Sequence, residues 1–363
     1  MQAGGGHRGW WRGSLALVVL AVVVLQACGT RRQLALPLER ALVVPAPTTT
    51  LPPPPPPTEP PTTLPPPPPT APPTTRPRPV VTAAPRRVAP RPVAPVTGGV
   101  AAYQGLGTWV DVYDWSRSYT NGHPTVGPAD VDRMAAAGVQ TLFIQASKWD
   151  SPTDVVDPDL LTPIIQRAHA RGIRVVTWYL PTFTDVGADL RRLLAVAHLG
   201  VEGIAVDIES RDVSDPAERS RRLVALSGQL RAALPGRTIG AVVFPPVAME
   251  VINPNYWPGF PWHEIGGSYD VWLPMSYWTN RTPESGWHDG YRYSAEDITR
   301  VRADLGQPNA IVNNIGGIAD NVTVAEVDGM VRAIAATGAV GGSLYDWHTT
   351  AAELWSHLTP LRR

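Results

Sequence analysis

Val201 to Ser210 read VEGIAVDIES and end with two carboxylates two residues apart, Asp207 and Glu209. The run before them is apolar and β-branched, which predicts a strand. Side chains at i and i+2 of a strand share one face. Two acids held side by side resist simultaneous ionisation, so one keeps its proton above the ordinary carboxylate range. A carboxyl that is protonated at neutral pH can donate to a leaving oxygen as a general acid. Glu209 has the longer reach and is read as the acid. Asp207 is read as the group that orients and polarises.

The elements around this strand follow one pattern. A helical segment ends in glycine, and a β-branched or aromatic run follows. ADVDRMAAAG precedes VQTLFIQAS, DLLTPIIQRAHARG precedes IRVVTWYLP, and ADLRRLLAVAHLG precedes VEGIAVDIES. Three further copies end at Gly236, Gly306 and Gly338, and the first three end at Gly138, Gly172 and Gly200, each where a left-handed C-cap belongs. GTWVDVYDW supplies a strand before the first helix, and YDVWLPMSYW another later. Continuous apolar strands alternating with helices imply a parallel sheet covered on both faces. Eight units in about 260 residues predict an α/β fold, a (β/α)8 barrel over residues 101–363. A doubly wound open sheet would carry a glycine-rich turn after its first strand, where this chain has DWSRSYTNGHP.

Active groups of such a barrel sit at the C-terminal strand ends. That rule gathers Asp111 and Tyr113 from strand one, Gln145 from strand two, Trp178 from strand three, and Asp207 and Glu209 from strand four. Strand six adds Met275, Tyr277 and Trp278, strand seven Asn313 and Asn314, and strand eight Tyr345, Asp346 and Trp347. The chain has 13 Trp and 10 Tyr against 4 Phe, and many of them fall on this rim. Aromatic faces flanked by acids and amides suit a sugar, whose C–H faces stack while its hydroxyls hydrogen-bond. The loop cluster Trp287, His288 and Asp289 is expected to line the same cleft. A structural alternative has the two acids capping a helix or pairing with Arg211.

These residues carry a resemblance to glycoside hydrolase barrels, and two families compete. VDVYDWS resembles the opening strand of family-25 lysozymes, with Asp111 on their first-strand aspartate. FIQASKW resembles their second strand, with Gln145 where a lysine usually stands. VDIE matches their D-x-E, and LYDW places Asp346 near their last-strand aspartate. EGIAVDIE resembles the D-G-x-D-x-D-x-E signature of the chitinase-like family 18, with Glu202 and Ala205 in place of its first two acids. MSY resembles that family's M-x-Y, carrying over Met275 and Tyr277. GGSLYDW resembles its last strand, with Trp347 as a sugar platform. Both resemblances imply an N-acetylated glycan such as peptidoglycan or chitin as substrate. Family 18 further implies substrate assistance: Glu209 protonates, the N-acetyl group attacks, and Asp207 and Tyr277 hold it.

The first hundred residues differ from the rest. Arg8 and Arg12 precede the apolar run SLALVVLAVVVLQAC, which has signal-peptide length. Its end, Leu25-Gln26-Ala27-Cys28, resembles a bacterial lipobox, so residues 1–28 are expected to be a lipoprotein leader acylated at Cys28, the chain's sole cysteine. The protein is then anchored to the outer face of a membrane. Plain secretion is the alternative. Residues 29–100 are Pro/Thr-rich, with TTLPPPPPPTEPP nearly repeated as TTLPPPPPTAPP, and are expected to be a polyproline-II-prone spacer.

The charge balance of 31 basic and 31 acidic residues hides an asymmetry: residues 1–100 hold ten Arg and two acids, the remainder 21 basic and 29 acidic residues. An acidic domain argues against nucleic acid. The eight histidines form neither H-x-H nor H-E-x-x-H, and neither G-x-S-x-G nor a phosphate-cradling loop occurs. No metal and no cofactor are therefore expected, and the domain is expected to act as a monomer. Two non-enzymatic readings stay open: a glycan-binding barrel that does not need Glu209, and an inert wall-anchoring lipoprotein.

Overall fold

Eight parallel strands close into one barrel in chain order, and β8 pairs with β1. The structure is a computed structural model that describes residues 99–363; Cys28 and the proline-rich segment lie outside the described residues. The strands are β1 (Gly105–Val110), β2 (Thr141–Gln145), β3 (Arg174–Tyr179), β4 (Gly203–Ile208), β5 (Ile239–Val243), β6 (Val271–Ser276), β7 (Asn313–Ile318) and β8 (Gly341–Tyr345). Between and after them come the helices α1 (Val112–Trp115), α2 (Pro128–Ala137), α3 (Pro158–Ala170), α4 (Val186–Ala197), α5 (Pro216–Ala233), α6 (Trp262–Ile265), α7 (Gly290–Asp304), α8 (Val324–Thr337) and α9 (Leu354–Leu358). This is the predicted (β/α)8 barrel. Of the six glycines expected at helix ends, five take positive φ, and Gly236 does not.

Strand alternation divides the core in two. Along β4, Ile204, Val206 and Ile208 pack outward against the helices, while Ala205 faces the barrel interior. The interior is filled by an aromatic ladder. The Tyr103 ring lies 6.1 Å from Phe143, which stacks on Trp109 at 4.4 Å. Trp109 meets Trp178 edge-on at 5.9 Å and Tyr345 at 6.3 Å, and Tyr345 lies 6.0 Å from Tyr277.

Tyr103 closes the bottom of the barrel from the 3-10 turn Val100–Tyr103. Its hydroxyl donates to the Ile204 carbonyl at 2.5 Å, with the Thr238 carbonyl at 3.3 Å, and Asn313 Nδ2 donates to its own carbonyl at 2.7 Å. The strands leave room for this ring by placing Gly203 and Gly240 beneath it. A Cβ at either glycine would lie within 2.8 Å of Tyr103 or Leu273 atoms.

One strand differs from expectation. β7 starts at Asn313, where the sequence predicted it to end, so Asn313 sits at the opposite end of the barrel from the acids. The apolar residues Ile311 and Val312 precede the strand, and Gly316 and Gly317 lie within it. Their missing side chains admit the Trp278 indole, which would lie 2.9–3.1 Å from a Cβ at either position. Tertiary packing here outweighs the low strand propensity of glycine.

Candidate active site

At the C-terminal end of β4, Asp207 and Glu209 face the barrel mouth with 7% and 5% of their surfaces exposed. Asp207 Oδ1 is buried without a hydrogen-bond partner. Among the described residues neither acid forms an ion pair; Arg211 instead lies over the Tyr256 ring at 5.1 Å. The structural alternative, capping or pairing with Arg211, therefore does not describe this pair. Burial pushes the Asp207 carboxyl well above the ordinary carboxylate range. Burial, and then the neighbouring Asp207, push Glu209 up as well. Both shifts favour the protonated form of the pair.

Tyr277 follows β6 and faces the same space. Its phenol is raised by burial and then by Glu209, Asp207 and Asp346, so it stays a neutral donor among three acids. Met275, one inward step below it on β6, is buried in the barrel wall. Trp178 lies in the same inner cluster, and its Nε1 has no partner in the fold.

A second group of acids stands across the mouth. Asp111 caps α1 by accepting from Tyr113 N at 2.7 Å, and its other oxygen accepts from the Tyr345 hydroxyl at 3.1 Å. Asp114, one turn on, and Asp346, after β8, complete it, with oxygens of the three acids within 4.8 Å of one another. Such spacing is within a cation's reach, which histidine patterns could not foretell. Gln145 supports this rim from within: its Oε1 accepts from Val112 N at 3.2 Å, and its carbonyl accepts from Trp115 Nε1 at 3.0 Å.

Four expected rim residues lie elsewhere. Trp278 is fully buried in the outer core, because the chain leaves β6 after Ser276 and turns into the 3-10 helix Trp278–Asn280, which carries the indole away from the mouth. Trp347 packs on Trp355 at 5.1 Å with its Nε1 3.4 Å from Asp130, so it is not a platform over the acids. Asn313 lies at the barrel bottom, and Asn314 faces outward, with its Oδ1 2.8 Å from Ser276 Oγ. The Trp287 cluster joins helices rather than lining the cleft. Asp289 caps α7, His288 lies 3.1 Å from Glu326, and Arg292 stacks on Trp287.

Two further aromatic residues join the site: Tyr345, which the sequence placed on the rim of strand eight, and Tyr256, which it did not anticipate. Tyr256, in the loop after β5, donates to the Glu209 carbonyl at 2.9 Å and stacks on Phe244 at 3.9 Å. Tyr345 bridges the two acidic groups, between Tyr277 and Asp111. Tyr345 had a sequence signal, its place at a strand end. Tyr256 had none, since it comes from an irregular loop.

No protein-family model and no curated protein matches the chain. Solved structures do. A class V chitinase from Pseudomonas fluorescens Pf-5 matches with 12% identity and a TM-score of 0.52, over 71% of this chain and 100% of that one. The spore cortex-lytic enzyme SleL of Bacillus cereus matches with 9% identity and a TM-score of 0.53, over 72% of this chain and 74% of that one. A family-18 chitinase from Cycas revoluta, solved with (GlcNAc)3, matches with 11% identity and a TM-score of 0.53, over 70% of this chain and 98% of that one. The class defined by fold is thus the closed (β/α)8 barrel that these glycan-cleaving proteins share.

Proposed function

We propose that the chain is a glycoside hydrolase acting on an N-acetylated glycan, with Glu209 as general acid. The observation that carries this reading is the buried Asp207–Glu209 pair beside Tyr277 at the barrel mouth. Of the two resemblances, the family-18 one accounts for more of this geometry. In that reading Glu209 protonates the leaving oxygen. Asp207 and the neutral Tyr277 hydroxyl hold the N-acetyl group as its carbonyl oxygen attacks the anomeric carbon. The fold-level likeness to chitinases and to a cortex-lytic enzyme supports the choice of polymer. The family-25 reading draws on Asp111 and Asp346, which the structure places together across the mouth.

The test is reducing-end release by the full chain from chitin oligomers and from purified peptidoglycan. Release from either establishes hydrolysis and selects the polymer; none from both overturns the reading. A Tyr277→Phe variant is expected to lose about 10²-fold in kcat, the scale for removing one positioned donor to a developing charge, with a smaller change in KM. A rise in KM at constant kcat would assign Tyr277 to ground-state binding instead.

One observation favours the second reading, a binding barrel without turnover. Ala205 stands inward of Asp207 where the family-18 signature has an acid, leaving Asp207 Oδ1 without a partner. Glu202, at the signature's first position, turns away to accept from Val175 N at 2.8 Å. For the segments outside the described residues, we propose that Cys28 is lipidated and the proline-rich spacer carries the barrel outward from the membrane. Cys28→Ser is expected to move the protein from the membrane fraction to the soluble fraction; unchanged fractionation refutes the anchor.

A further inference from the structure

Trp149 stands in the loop after β2 with 53% of its surface in water, and no other tryptophan among the described residues is so exposed. The loop that presents it is fastened at every residue around it. Arg192 Nη2 donates to the Trp149 carbonyl at 3.0 Å and to the Ser151 carbonyl at 3.2 Å. Ser151 N donates to the Lys148 carbonyl at 3.1 Å. Lys148 Nζ lies 2.7 Å from both Asp150 oxygens, and the Tyr119 hydroxyl donates to Asp150 at 2.8 Å. A large apolar ring held in water by a rigid loop is preorganised for a ligand, because little ordering remains to be done on binding.

The surroundings define the ligand's chemistry. Tyr113, Tyr119 and Trp149 surround the Lys148 ammonium at 5.9, 4.9 and 5.1 Å. The cation position of this aromatic cage is thus filled by the protein's own side chain. What remains on offer is indole surface for a neutral ligand with an apolar face and a polar edge, such as a pyranose ring. Contacts also run without a break from Trp149 to the acid pair. Lys148 meets Tyr113, Tyr113 bonds Asp111, Asp111 bonds Tyr345, and Tyr345 meets Tyr277 beside Asp207 and Glu209.

We propose that Trp149 is the stacking platform of a distal subsite for a neutral sugar unit, several units along the same glycan from the acid pair. The proposal rests on the glycan reading above. It implies that the cleft crosses the rim from β4 over β8 and β1 to β2, and that the protein prefers polymer to short oligomer.

The test measures equilibrium binding of chitobiose and chitohexaose to the full chain carrying Glu209→Gln, which slows turnover during the titration. Trp149→Ala and Trp149→Tyr are added in that background. The expected result is a hexamer-to-dimer affinity ratio that falls about 10-fold in Trp149→Ala, an aromatic-contact scale, and recovers in Trp149→Tyr. Hexamer binding with a ratio unchanged by Trp149→Ala overturns the platform and leaves the glycan reading standing. Failure of both oligomers to bind any version overturns the chitin form of the glycan reading, and the platform with it. Trp149 is exposed, so an unchanged thermal midpoint for Trp149→Ala is the control that the fold is intact.

Discussion

Glu209→Gln is expected to lower turnover about 10²–10⁴-fold, the usual contribution of a positioned general acid, while making the protein more stable at neutral pH. Both effects have one cause. Glu209 is buried beside a second buried acid, and its pKa is raised by that burial and then by Asp207. Above about pH 4 the carboxyl ionises in the unfolded chain, while the folded state keeps its proton. The folded state then binds more protons than the unfolded state, so stability falls as pH rises through that window toward the raised folded value. Glutamine removes the group that titrates and keeps its shape. The thermal midpoint of Glu209→Gln should therefore exceed that of the parent at pH 7, with the gain shrinking toward pH 4. Thermal scans across this range check the sign. A gain that grows on acidification would mean that Glu209 is ionised in the fold.

The largest loss of stability is expected at the other end of the barrel. Tyr103→Ala should cost ~3–5 kcal/mol, the range for truncating a buried aromatic ring, and lower the thermal midpoint on the order of 10 °C. The ring closes the base of the aromatic ladder on Phe143, and Gly203 and Gly240 are shaped to receive it. Its hydroxyl also bonds the Ile204 carbonyl. Tyr103→Phe removes only that bond and should cost about 1 kcal/mol. Denaturant unfolding of the three proteins separates packing from hydrogen bonding. Similar losses in the two variants would place the contribution in the hydroxyl.

The barrel was legible because its signals are local and repeated: a helix stopped by glycine, then a β-branched run. The acid pair was legible because strand period alone puts residues 207 and 209 on one face. Most of what was misread lies where the strand period stops. Tyr277 and Trp278 both follow the last residue of β6, and the 3-10 turn there buries Trp278 in the outer core while Tyr277 faces the mouth, yet rim membership was inferred from position near a strand end. β7 was misplaced because its apolar residues Ile311 and Val312 stand at its entry, where Val312 makes only an isolated bridge to Trp272, and its glycines serve a distant indole. Trp347 follows the last strand residue, where alternation no longer applies, and packing with Trp355 sets its direction. Tyr256 lay in a loop with no periodicity. The grouping of Asp114 with Asp111 and Asp346 depends on the turn that follows β1 and on closure of the barrel between β8 and β1.

The most direct test of the central claim, that Glu209 protonates the leaving oxygen, compares two leaving groups in a single turnover. The parent and Glu209→Gln would each be given a chitin oligomer and an N-acetylglucosamine glycoside of dinitrophenol, whose phenolate departs without a proton. First-turnover cleavage of the oligomer should be lost in the variant, while first-turnover release of dinitrophenolate should stay close to the parent rate. Equal losses on both substrates, or no loss on the oligomer, would contradict the assignment of Glu209 as the acid.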